Sequence, residues 1–104
     1  IADNGYVHAF LLDGGVETDL GTLGGNYSYA FAINNLGQIV GYSCADDYDY
    51  YPHGFVWEDG AMTGLSNLGG DHSYGEAYGI NDRGQIVGYS SAFGGERGVL
   101  WNHR

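Results

Sequence analysis

The sequence predicts an all-β protein: two four-stranded antiparallel, blade-like repeats resembling propeller blades, completed by strand exchange or oligomerisation. Three observations carry that reading. The heptamer GQIVGYS occupies positions 37–43 and returns unchanged at 84–90, behind Ile33-Asn34-Asn35 and Ile80-Asn81-Asp82. The apolar runs are short, rich in β-branched and aromatic residues, and interrupted by glycine clusters about eight to twelve residues apart, which is the all-β signature. No stretch carries the 3.6-residue period of an amphipathic helix.

Taken in order, His8 to Leu12 reads as a strand, Asp13-Gly14-Gly15 as a hairpin turn and Val16 to Leu20 as the returning strand. Leu23-Gly24-Gly25 breaks the sheet. Tyr29 to Ile33 forms a third strand, and Asn34-Asn35-Leu36-Gly37 turns the chain into a fourth, Gln38 to Ser43. The pattern then restarts. His53-Gly54-Phe55-Val56-Trp57-Glu58 matches His8 to Asp13, Glu58-Asp59-Gly60 repeats the turn, and Leu65 to Gly70 matches Leu20 to Gly25. A short insertion near Asp71 to Tyr74 marks a loop, after which Ala77 to Asn81 and the turn Asn81-Asp82-Arg83-Gly84 follow. Gly98-Val99-Leu100-Trp101 starts a third copy. The chain therefore reads as one repeat domain over 1–104, with repeats at about 8–52 and 53–96 and a third start at 97–104. A repeat of about 46 residues has the length of a propeller blade and exceeds a β-helix rung. Gly41 and Gly88 are expected where a neighbouring sheet or a narrow axis comes close.

Composition narrows the partners. Thirteen acidic residues stand against three arginines and no lysine, giving a formal charge of −10, so nucleic acid and anionic membrane surfaces are repelled. No apolar run reaches the roughly 20 residues of a membrane-spanning helix, so membrane insertion is not expected. Twenty glycines, ten tyrosines and 43% hydrophobic residues suit turn-rich β-structure with a core. Cys44 is the single cysteine and reads as a small, half-buried residue, with no basic group near it in the sequence to make it a reactive thiol. The opening Ile1-Ala2-Asp3 fits a mature, processed or excised segment.

Candidate chemistry is sparse. His8 and His53 hold equivalent positions, and Arg97 follows in the third copy, a replacement that a metal site would not accept; both histidines read as strand residues. Asp71, His72 and Ser73 supply triad residue types without a nucleophile elbow, and no enzyme is expected. Asp46, Asp47 and Asp49 offer oxygen ligands for calcium. They lack ordered calcium-loop spacing, and a solvated acidic surface is the preferred reading. Asn26-Tyr27-Ser28 is a formal glycosylation triplet.

HAFLLDGG, TDLGTLGG and AINNLGQIVGYS in the first copy, with HGFVWEDG, MTGLSNLGG and GINDRGQIVGYS in the second, resemble the bacterial secreted proteins that carry HAF extracellular repeats. The resemblance spans most of the chain. It implies an extracellular, secreted or cell-surface location and a propeller-like fold, and it supplies no catalytic residues. Phe10 and Phe55 give way to Val99, and Leu12 replaces the tryptophan of Trp57 and Trp101. The leading expectation is a structural protein that self-assembles head to tail into a fibre or ring. Its assembly strands are His8, Ala9, Phe10 and Leu11 at one end and Gly98, Val99, Leu100 and Trp101 at the other. The alternative is a secreted, lectin-like module that binds glycans through its tyrosine-rich loops, with calcium as a possible cofactor.

Overall fold

The computed structural model describes residues 7–44, 52–68, 73–92 and 95–103, which form nine strands and no helix. β1 (Ala9–Asp13) and β2 (Val16–Gly21) make a first sheet. β3 (Ser28–Ile33), β4 (Ile39–Ser43), β5 (His53–Glu58) and β6 (Ala61–Gly64) make a second, in that order. β7 (Gly75–Ile80), β8 (Gln85–Ala92) and β9 (Gly95–Asn102) make a third. All pairings between these strands are antiparallel.

The tight hairpins follow from glycine. Asp13 pairs with Val16 and Glu58 with Ala61, leaving two-residue loops, Gly14-Gly15 and Asp59-Gly60. Their φ angles are 58° and 86°, and 52° and 89°. Positive φ at both positions defines the type I′ turn, whose twist matches the strands it joins.

The expected strands are present, but they are grouped differently. The sequence suggests one sheet per repeat; the structure places the repeat boundary inside a sheet, and the second sheet takes two strands from each repeat. Burial explains the grouping. β4 is buried on both faces, apart from the half-buried Tyr42, because the first and third sheets cover it, and as the central layer it carries a strand on each edge. β5 supplies one, setting Ile39 opposite Trp57 and Val40 opposite Val56. β2 carries Glu17, Thr18 and Asp19 on an exposed strand and suits an edge. By the same pairing, Gly98 to Trp101 are not a detached surplus strand, because β9 pairs with β8 from Gln85↔Asn102 to Ala92↔Gly95.

Two apolar layers join the three sheets. Between the first and second, Ala9 and Leu20 meet Ile39 and Phe55, flanked by Leu11, Leu23, Trp57 and Met62. Between the second and third, Val40 and Val56 meet Ala77 and Ile86, flanked by Ala32, Leu65, Ile80 and Trp101. The turns add a polar link. Asn34 Nδ2 donates to Asn81 O at 2.9 Å, and Asn35 donates from N and Nδ2 to the Asp82 carboxylate at 2.8 Å each. Within each turn the first asparagine accepts from two backbone N–H groups, Leu36 and Gln38 or Arg83 and Gln85, which accounts for the recurring Ile-Asn start.

The recurring glycines inside GQIVGYS have a cause other than the expected one. Both β3 and β7 are bulged, between Ala30 and Ala32 and between Ala77 and Gly79. The bulged backbone presses on the adjacent strand of the same sheet, so a Cβ at Gly41 would overlap Tyr29 O and sit 2.9 Å from Ala30 Cα. Gly88 meets Glu76 O and Ala77 Cα in the same way. Gly98 faces open space. Gly41→Ala should therefore cost about 3 kcal/mol, the upper range for overpacking. Gly98→Ala should be neutral or stabilise by under ~1 kcal/mol, and urea denaturation of both variants checks the contrast.

Candidate functional site

The two groups of expected assembly residues lie on opposite ends of the stack. Ala9 to Leu11 form the start of β1, whose second edge carries no paired strand among the described ones, although Ala9 N there donates to Ser28 Oγ of β3 at 2.8 Å. An apolar cleft of about 220 Å³ runs beside it, lined by Phe10, Leu12, Phe31 and Ile33 among others. Gly98 to Trp101 lie in β9, whose outer edge is likewise unpaired among the described strands.

The faces matter more than the edges. In the second sheet Val40 and Val56, 0% and 2% exposed, are covered by the third. Their equivalents in the third sheet, Val87 and Leu100, are 52% and 55% exposed. At the other end Phe10 and Leu12 are exposed, whereas their equivalents Phe55 and Trp57 pack on Ala9, Leu11 and Leu20. The two bare end faces are thus the two kinds of face that meet twice inside the molecule.

His8 holds the start of β1 in place. Its Nδ1 lies 2.9 Å from Asp19 Oδ2 on the facing strand, and Gly21 N donates to Asp19 Oδ1 at 2.8 Å. Partial burial pushes the Asp19 carboxyl up, but the His8 and Gly21 hydrogen bonds and the His8 charge outweigh it and leave it below the usual carboxylate range. His53, the equivalent residue, meets Asn67 Nδ2 at 3.2 Å. The equivalents thus keep a structural position with different neighbours.

Each GQIVGYS motif ends on a fully buried serine that anchors the preceding glycine loop. Ser43 Oγ accepts from Leu23 N at 2.9 Å, and Ser90 Oγ accepts from Leu68 N at 2.8 Å. The next residue repeats the device with a change of atom. Cys44 Sγ accepts from Tyr27 N at 3.3 Å, where Ser91 Oγ accepts from Tyr74 N at 2.9 Å. Cys44 is fully buried, deeper than its sequence context suggests. Asn26 is half-buried against the same sulfur, its N donating at 2.9 Å.

A row of rings went unrecognised in the sequence. Tyr27, Tyr29, Tyr42, Phe31, Tyr78, Tyr89 and Tyr74 form successive contacts with centroids 5.2–6.2 Å apart, crossing from the second sheet to the third between Phe31 and Tyr78. Phe31 and Tyr78 are the extra residues of the two bulges, which turn them out into solvent. Glu76 accepts a hydrogen bond from the Tyr78 hydroxyl, and Glu96 accepts from Tyr74 at 2.8 Å.

Asp46, Asp47 and Asp49, and likewise Asp71 and His72, lie outside the described residues. Among the described residues, no group of three or more His, Cys, Asp or Glu is placed to hold a metal ion. A polar groove of about 440 Å³ brings Gln38, Glu58, Asp82, Arg83 and His103 together, with His103 Nε2 4.0 Å from Glu58 Oε1. It contains no hydroxyl or thiol nucleophile among its lining residues. Compared with family models, curated proteins and solved structures, the chain has no significant match.

Two outcomes follow. Cys44→Ser should leave stability within about 1 kcal/mol of the parent, because a serine already does the same work at Ser91. The native thiol should react with a thiol reagent only as fast as the fold opens, and a rapid reaction in native buffer would refute the buried placement. Asp19, with its folded pKa lowered, contributes stability that is present above about pH 4, the ordinary carboxylate value, and is lost as pH falls through the lowered one. Asp19→Asn should flatten that part of the pH–stability curve.

Proposed function

We propose that the chain is a structural repeat module of the HAF-repeat kind, extracellular, whose sheets stack as successive blades and whose copies associate head to tail. One observation carries the reading: Val87 and Leu100 leave bare at one end the face that Val40 and Val56 bury, while Phe10 and Leu12 leave bare at the other the face that Phe55 and Trp57 bury. Apposing the ends of two copies repeats an interface that the chain already makes within itself. Phe10 and Leu12 of one copy then rest on Gly98 and Leu100 of the next, the equivalents of Ala9 and Leu11. Leu100 is 55% exposed, so covering the rest of its surface contributes roughly half of the 1.5–3 kcal/mol that full burial of such a side chain gives.

The edges of β1 beyond Ala9 and of β9 add backbone groups that a neighbouring strand can satisfy. A contact between unlike ends is heterologous, so it closes a ring when the rotation permits, for example three chains, and otherwise extends as a fibre. The resemblance to secreted HAF-repeat proteins supports an extracellular setting.

Sedimentation velocity of the intact chain should show large species that grow with concentration. Leu100→Asp places a charge in a seat whose internal equivalent is dry, and should return the material to small species with unchanged circular dichroism. A soluble monomer of the intact chain at high concentration would sink the proposal.

A further inference from the structure

Three features bear on binding: the polar groove at Glu58 and His103, the apolar cleft beside β1, and the row of rings. The groove closes on its own hydrogen bond, Gln38 Nε2 to Glu58 Oε1 at 3.3 Å, and the cleft belongs to the end face already described. The rings combine aromatic faces with charge. Tyr29, Phe31 and Tyr78 are exposed, and Tyr42 and Tyr89 lie half-buried beneath them. Glu76 stands in their midst on β7, half-buried.

The electrostatics are one-sided. The Glu76 carboxylate acts on the hydroxyls of Tyr42, Tyr78 and Tyr89, and Glu96 adds its charge at Tyr89. The Glu76 hydrogen bond first, then burial, pushes Tyr78 up to about 12; burial first, then Glu76, pushes Tyr42 and Tyr89 upward as well. These phenols stay protonated through the physiological range. Every charged side chain acting on them is negative, and the ring faces are negative by their quadrupole. A carboxylate set among rings attracts an organic cation. Among cations a guanidinium fits best, because it stacks on a ring and reaches a carboxylate in the same plane, which an ammonium cannot do.

We propose that the seam formed by Tyr29, Phe31, Tyr42, Tyr78, Tyr89 and Glu76 binds the arginine side chains of an extended basic segment from a partner protein. Charge complementarity with a chain of net charge −10 favours such an occupant, and the equivalent bulge residues Phe31 and Tyr78 bring rings of both repeats together beside the single carboxylate of Glu76. This site is separate from the stacking face at Val87 and Leu100, and it adjoins the other end face at Phe31, which lines the cleft beside Phe10 and Leu12.

Fluorescence anisotropy with labelled nona-arginine, nona-lysine and a neutral Gly-Ser peptide tests it. The arginine peptide should bind more tightly than the lysine peptide, the neutral peptide should not bind, and added salt should weaken the complex. Glu76→Gln and Phe31→Ala should each weaken binding about three- to fivefold, in line with an exposed cation–π or charged contact. Tyr78→Phe, which keeps the ring, should bind nearly as the parent does, whereas Tyr78→Ala should not. Glu17→Gln, on β2 of the first sheet, should change nothing. Equal loss in Glu17→Gln and Glu76→Gln would reduce the effect to diffuse acidity and overturn the proposal. No binding would overturn it, as would salt-independent binding of a neutral oligosaccharide such as cellohexaose that Tyr78→Ala abolishes.

Discussion

The ladder between β4 and β5 is the constraint on which the rest depends. It joins the last strand of one sequence repeat to the first strand of the next, with Val40 opposite Val56 and Ile39 opposite Trp57. These pairs point alternately to the two neighbouring sheets, so one ladder feeds both apolar layers. Once it forms, the type I′ hairpin at Asp59-Gly60 lays β6 on the outer edge, and the bulged β3 closes the inner one. The same logic leaves the first sheet with two strands and the third with three. The unlike end faces and open edges are therefore direct results of the phase between repeat and sheet.

Much of this was legible in the sequence, and the parts that were not have physical reasons. Strand positions follow from alternation and glycine turns, so the expected strand Tyr29 to Ile33 lies within β3 and the turn at Asn34 forms as expected. Phase is harder, since nothing in His53 to Glu58 alone shows that this strand pairs with β4 before it as well as with β6 after it. Only the burial of β4 on both faces decides, and burial is a property of the packed molecule. The recurrence of Gly41 and Gly88 was visible, but its cause was not. A bulge is a fault in register between two strands, so neither strand announces it alone.

The candidate residues divide along similar lines. The serine anchors Ser43 and Ser90 and the interchangeable acceptors Cys44 and Ser91 sit at repeating positions, and the repeat hints that they do the same work. The aromatic seam was hidden, although its members Tyr27 and Tyr74, Phe31 and Tyr78, and Tyr42 and Tyr89 also recur in pairs. Their meeting depends on two bulges and on the packing of the second sheet against the third. Glu76 takes the place that Tyr29 holds in the first copy, which puts the carboxylate among the rings of only one repeat.

The offset between repeat and sheet also bears on how an array of such units behaves as it lengthens. Repeats that each folded into their own sheet would be linked to neighbours through side chains alone and would melt nearly independently. Here each added copy shares a hydrogen-bonded ladder with the one before it, so the nearest-neighbour coupling is large relative to the intrinsic stability of a single copy. In the language of a one-dimensional chain, the domain wall between folded and unfolded units is costly. A longer open array of such repeats would melt cooperatively from its ends, with the interior held by both of its neighbours.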